Sequence, residues 1–211
     1  MFTNDINMTK TVMAISSKLK IGDTFSLVTY SSEDHIVIDS MIFTGDLEPI
    51  IEKLSLIKID GYTNGSAGIE SAYKIAEKNY IANGTNKVVL ITDGDLNFGI
   101  NSNNGLEKLI LEKKKSNVFL SVIGMGLGNL KDDKLETLAK NGNGYYCVVN
   151  EDGKQFAIKI VSMSEKYIFA LAENRAPPIY TASAPFCTAA TIASYEPAGA
   201  KSSIFPIIFF L

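Results

Sequence analysis

Cysteine and histidine are nearly absent from this chain, which has two cysteines and one histidine among 211 residues. Cys147 and Cys187 are far apart and fit no C-x-x-C or zinc-ligand spacing, so neither a zinc site nor a disulfide framework is predicted. Cys147 lies in the apolar run GYYCVV, which predicts a buried, unreactive thiol. His35 begins a predicted edge strand without a serine or cysteine partner, which favours a solvated side chain over a catalytic base.

An excess of charge of one sign is also missing. The net charge is -3, with acidic and basic residues interspersed, so no large basic face is available for a phosphate backbone. We therefore expect no nucleic-acid partner.

Long apolar runs are missing as well. The run SSIFPIIFFL contains Pro206 and is well short of the ~20 residues needed to span a bilayer, so no membrane span is predicted. The first residues do not follow the pattern of a secretory signal, and the sequence leaves the compartment open.

Strand and helix patterns alternate along the first two thirds of the chain. β-Branched and apolar runs predict strands over 24–31, 35–43, 87–93, 118–126 and 145–149. Apolar residues at helical spacing predict helices over 6–19, 47–57, 69–81, 106–116 and 132–142. This order predicts an α/β, Rossmann-like, doubly wound and mostly parallel sheet, and the short break after residue 31 predicts one antiparallel edge strand.

The regular alternation predicts a domain over residues 1–150. One interpretation of residues 151–174 is a further amphipathic helix. Residues 175–211 are rich in proline, alanine and serine without a sustained period, so we predict an irregular tail outside the core.

Two oxygen-bearing side chains are expected at the carboxyl edge of this sheet, where doubly wound folds bind ligands. Asp93 ends the apolar run VVLITD, and Thr63 lies in the loop before the helix over 69–81. A hydroxyl and a carboxylate on adjacent loops suit Mg²⁺, which prefers oxygen ligands. The alternative is structural, with Thr63 capping its helix and Asp93 opening a turn before Gly94.

Three motifs carry a resemblance to a known family. The runs TNGSAGI, ITDGDLNFG and FLSVIGMGLGNLKD resemble the von Willebrand factor type A domains of bacterial homologues of calcium-activated chloride channels. The likeness extends from about Met8 to about Val149. It implies a Rossmann-like fold with a metal-ion-dependent adhesion site, in which Thr63 and Asp93 match the threonine and aspartate of the second and third loops.

The resemblance also implies a first part of the site that this sequence lacks. In the family, a central first strand carrying D-x-S-x-S precedes the first helix, whereas here Met1 stands at about that helix and no D-x-S-x-S occurs. We therefore expect a fold without its first strand, with two neighbouring strands left unpaired. Two protein ligands, Thr63 and Asp93, would hold Mg²⁺ weakly or vestigially.

The function implied by the resemblance is binding of a protein partner that offers a carboxylate to the metal, with no catalytic residue. One alternative is a Mg²⁺-dependent phosphoryl hydrolase that uses Asp93 and Asp95, although no nucleophile, base or phosphate-binding loop stands beside them. Another is a non-functional fragment of a larger protein of this family.

Overall fold

The helices and strands alternate along most of the chain. The structure is a computed structural model that describes residues 2–17, 19–30, 34–57, 65–82, 84–92, 103–125, 132–151, 156–163 and 203–210. The helices are α1 (Phe2–Ser16), α2 (Glu48–Ser55), α3 (Gly65–Lys78), α4 (Asn103–Lys113), which a 3-10 turn extends, and α5 (Asp132–Asn141). The strands are β1 (Thr24–Tyr30), β2 (Asp34–Ile42), β3 (Thr85–Thr92), β4 (Phe119–Met125), β5 (Asn143–Glu151), β6 (Phe156–Met163) and β7 (Ser203–Phe210).

All seven of these strands join one sheet, in the order β2-β1-β7-β3-β4-β5-β6. The five inner strands run parallel, and β2 and β6 pair antiparallel at the two edges. The predicted α/β fold with a mostly parallel sheet is confirmed. The prediction named one antiparallel edge strand, and the second, β6, comes from a segment for which a helix was one interpretation.

Strand β3 lies near the middle of the sheet, and all eight of its residues are buried. Its side chains alternate between the two faces: Val89 and Ile91 pack in one apolar cluster, and Val88 and Leu90 in the other. The first cluster includes residues of α1 and α2, and the second includes residues of α3, α4 and α5. Helices therefore cover both faces of the sheet, as the continuous apolar run of β3 predicts.

Strand β7 corrects the prediction of an irregular tail over residues 175–211. Residues 203–210 lie between β1 and β3 and run parallel to both. The two strands that we expected to be unpaired are therefore both paired through β7. The physical reason is that β-branched and aromatic residues dominate this segment, which suits a strand covered on both faces.

Strand β6 corrects the interpretation of residues 151–174 as a helix. Phe156–Met163 pairs antiparallel with β5, and the remaining residues of that range lie largely outside the described part of the chain. Its sequence, FAIKIVSM, also fits a two-residue period, and pairing with the free side of β5 decides between the two patterns. Every helix in the described part of the chain is too short or too polar to span a bilayer.

Pro206 interrupts the pairing of β7 with β3. The register with β1 is continuous along β7, whereas pairing with β3 skips from Asn86↔Ile204 to Val89↔Ile207. Because proline has no N–H, it cannot donate a hydrogen bond to a neighbouring strand, and it is rare in central strands for this reason.

The first prediction concerns this interruption. Pro206→Val should raise the free energy of unfolding by about 1 kcal/mol, because valine restores a backbone donor and favours the extended conformation. Urea denaturation measures the change. Pro49→Ala is the matched control, since Pro49 lies in the first turn of α2, where helices leave backbone N–H groups unpaired, and we expect little change. An unchanged urea midpoint for Pro206→Val would argue against β7 in its central position.

Tyr73 gives a second prediction. It is fully buried on α3, and its hydroxyl has no hydrogen-bond partner among the described residues. Burial, and secondarily the nearby charge of Glu77, raise the pKa of this phenol far above its ordinary value of 10.0. The phenol therefore ionises more readily in the unfolded chain, so the native state loses stability as the pH rises above 10.0.

Tyr73→Phe should remove this loss and raise the free energy of unfolding by about 1 kcal/mol at neutral pH, since no buried hydroxyl is left unsatisfied. Urea denaturation at pH values below and above 10.0 tests both effects. Tyr80→Phe, at a tyrosine that is 42% exposed, is the matched control and should behave like the unmodified chain. Equal loss of stability at high pH in the Tyr73→Phe variant would contradict this account.

Candidate functional site

The carboxyl ends of five parallel strands form one edge of the sheet. The last residues of β1, β7 and β3 at this edge are Tyr30, Phe210 and Thr92. Strands β4 and β5 end on the same side with Met125 and Glu151. Open α/β sheets bind ligands at this edge, where the loops that follow the strands meet.

The first turn of α3 lies at the same edge. A Cβ atom on Gly68 would come within 2.9 Å of the ring of Tyr30, so the helix backbone contacts the end of β1 closely. Tyr30 is buried, with 2% of its surface exposed. The contact fixes the beginning of α3 beside the carboxyl end of β1, and a glycine at position 68 allows it.

Thr63 and Asp93, the two predicted metal ligands, lie outside the described residues. Their neighbours in the chain are described. Thr92, which precedes Asp93, is fully buried at the end of β3, and α3 begins at Gly65, shortly after Thr63. The described ends of both elements are thus at the edge where the sequence predicts the two side chains, while the positions of the side chains themselves stay a prediction.

Helix α3 is held by contacts that the sequence analysis did not identify. Lys113 Nζ of α4 lies 2.9 and 2.8 Å from the two carboxylate oxygens of Glu77, and both side chains are about two-thirds or more buried. Lys114 and Lys115, which follow Lys113, are exposed. No local pattern could reveal the pair, because its residues are 36 positions apart.

The far end of α3 is joined to β2. Asn79 Nδ2 donates to Ser40 Oγ at 2.6 Å and to the carbonyl of Ile75 at 2.9 Å. The amide of Ser40, a residue with a positive φ of 53°, donates to Ser26 Oγ at 2.9 Å. Contacts at its beginning, near its end and just beyond its end therefore set the position of the helix that follows the Thr63 loop.

The described residues do not supply a complete Mg²⁺ site. Strand β7 ends between β1 and β3, and its last residues, Ile208, Phe209 and Phe210, carry no side-chain oxygen. The part of the chain that the structure describes contains no group of three or more histidine, cysteine, aspartate or glutamate side chains able to hold an ion. Aliphatic and aromatic groups do not bind Mg²⁺, so the last residues of β7 supply no side-chain ligand for the ion.

Two other residues of chemical interest are His35 and Cys147. His35 is exposed on the edge strand β2, as its sequence position predicts. Cys147 is fully buried in β5, where its sulfur lies 3.9 Å from the carbonyl oxygen of Val122, which confirms the prediction of a buried thiol. His35 pairs with Thr29, next to the last residue of β1, and so lies near the carboxyl edge, whereas Cys147 is buried in the core.

A curated relative matches much of the chain. The uncharacterized protein YfbK of Escherichia coli K12 is 33% identical over 133 residues, which are 63% of this chain and 23% of YfbK. This chain thus spans about a quarter of the length of that relative.

Solved structures show the same fold. A von Willebrand factor type A protein from Catenulispora acidiphila has a TM-score of 0.57 at 16% identity, covering 70% of this chain and 34% of that protein. The conserved hypothetical protein BatB from Bacteroides thetaiotaomicron has a TM-score of 0.54 at 16% identity, covering 71% and 81% of the two chains. Proximal thread matrix protein 1 of the mussel byssus has a TM-score of 0.50 at 20% identity, covering 72% and 39%. At these identities, the likenesses are evidence of fold.

The sequence model of the von Willebrand factor type A domain matches residues 3–162, which is more than half of the chain. The parallel sheet with helices on both faces agrees with this match. The chain belongs to the von Willebrand factor type A domain family.

Proposed function

We propose that this chain is a protein-binding module whose partner binds at the carboxyl edge of the sheet. Domains of this family are generally non-enzymatic modules that mediate protein–protein interaction. The observation that carries the proposal is the close contact between Gly68 of α3 and Tyr30 of β1, which brings the beginning of α3 to the carboxyl edge. The Thr63 loop and the loop after Thr92 would together form the binding surface.

Mg²⁺ binding at Thr63 and Asp93 is, in this proposal, weak or vestigial. The last residues of β7, at the central position of the edge, carry no side-chain oxygen, so the proposal rests on Thr63 and Asp93 as the protein ligands. The affinity of a protein site for Mg²⁺ depends on its oxygen ligands, so a site with two protein ligands binds the ion weakly. The residues that contact a partner would then provide most of the binding energy through packing and hydrogen bonds.

A carboxylate is the partner group that we propose to test first, because an acidic side chain can both ligate a metal and accept hydrogen bonds from backbone amides. YfbK is about four times as long as the matched region, so a larger protein would offer surfaces that this domain lacks. The test on this chain alone is therefore limited to binding of the metal and of a carboxylate.

Nuclear magnetic resonance of the ¹⁵N-labelled chain, titrated with Mg²⁺ and then with acetate, tests this proposal. We expect amide shifts near Tyr30, Gly68 and Thr92, half-saturated at about 1 mM Mg²⁺ or above, as expected for a site with few ligands. Acetate should add shifts at the same amides only when Mg²⁺ is present. Asp93→Ala should abolish both responses.

Asp95→Ala is the matched control, since it removes a nearby carboxylate outside the predicted ligand pair, and the responses should persist. Saturation at micromolar Mg²⁺ would show a complete site and contradict the weak-site part of the proposal. Shifts confined to other surfaces, or no response to acetate with Mg²⁺ present, would overturn carboxylate binding at this edge.

A further inference from the structure

The pairing pattern creates an acceptor position for a strand between β1 and β3. These two strands have no direct pairing with each other, and each pairs with β7 instead. If β7 leaves, the sheet divides into β2-β1 and β3-β4-β5-β6. Two strand edges would then present unpaired N–H and C=O groups, which form a ready template for another extended segment.

The acceptor position is specific in direction and in length. It takes a strand parallel to its two neighbours, and the register with β1 covers seven positions, from Thr24↔Ile204 to Tyr30↔Phe210. Fully buried apolar side chains stand on both neighbouring strands: Phe25, Leu27 and Val28 on β1, and the run from Val88 to Ile91 on β3. The segment that fits is therefore an extended apolar strand of about eight residues.

The strand that fills this position is distant in the chain from the strand before it. Between the end of β6 at Met163 and the beginning of β7 at Ser203 there are 39 residues. A connection of this length can extend up to about 130 Å. It is therefore long enough for residues 203–210 of one molecule to reach the acceptor position of another.

Strand β7 pairs only partly with one of its two neighbours. Pairing with β3 is absent from Phe205 and Pro206, where β3 contributes Lys87 and Val88. Because this pairing is missing, β7 binds less strongly to β3 than an uninterrupted strand would, and the barrier to its removal is lower.

We propose that the position between β1 and β3 is a strand-acceptor site that also takes residues 203–210 of a second copy of this chain. The second copy is the occupant because its segment is identical to the one whose register the site already fits. Reciprocal exchange gives a twofold symmetric dimer, in which each molecule completes the sheet of the other. Both arrangements make the same strand contacts, so the protein concentration during folding decides between them.

Engineered cysteines at paired positions test the exchange. Thr24 and Ile204 face each other in register, and Thr24 is partly exposed. We would prepare full chains that carry Thr24→Cys alone, Ile204→Cys alone, or both, each with Cys187→Ser. The single variants are refolded together under reducing conditions, at low and at high protein concentration, and are then oxidised with glutathione disulfide.

The matched control pairs Thr24→Cys with Phe210→Cys. Phe210 lies at the other end of β7, about 20 Å along the strand from Ile204, so exchange in the observed register leaves these two thiols too far apart. Non-reducing electrophoresis and size-exclusion chromatography measure covalent dimers.

The double variant should form a disulfide within one chain, and the mixed Thr24 and Ile204 variants should form a covalent dimer whose yield rises several-fold with concentration during refolding. A disulfide within the double variant but no dimer from the mixture at any concentration would show that β7 stays in its own molecule, and would overturn the proposal. The proposal would also be overturned if the double variant formed no disulfide within one chain. The same holds if the Phe210 control gave as much covalent dimer as the mixed Thr24 and Ile204 variants.

Discussion

Backbone pairing across the centre of the sheet is the constraint on which the other elements depend. Strand β3 is buried along its whole length, so each of its N–H and C=O groups needs a partner, and an unpaired buried group costs about 1–3 kcal/mol. Strand β7 pairs with β1 along its whole length and with β3 on either side of the interruption at Phe205 and Pro206. The two apolar clusters pack on opposite faces of this sheet, and both include residues of β1 and of β3.

The candidate site depends on the same arrangement. Helix α3 packs against β1, β3 and β7, so the close approach of Gly68 to Tyr30 holds only while these strands stay together. The ion pair of Glu77 with Lys113 and the hydrogen bond of Asn79 to Ser40 restrict the helix from two further directions. The described ends of β1, β3 and α3 at the carboxyl edge are therefore fixed relative to one another by these contacts.

Local patterns were enough to predict most helices and strands. The apolar run of β3 and the helical period of α3 can each be recognised from neighbouring residues alone. The family match over residues 3–162 agrees with the predicted order of strands and helices. Strand β7 was missed because its pairing partners are more than a hundred residues away, and because the segment 175–211 is rich in proline, alanine and serine without a sustained period. The same limit applies to Glu77 and Lys113, whereas Thr63 and Asp93 stay predictions, since both lie outside the described residues.

The position of β7 in the sequence has a consequence for synthesis. A ribosome releases the six other strands before the strand that joins β1 to β3. At about 5–20 residues per second, the segment from β6 to β7 takes several seconds to emerge. During that interval the nascent chain exposes two open strand edges and apolar side chains, a state that chaperones recognise. Residence in that state, more than the stability of the finished fold, would then limit the yield of native protein in the cell.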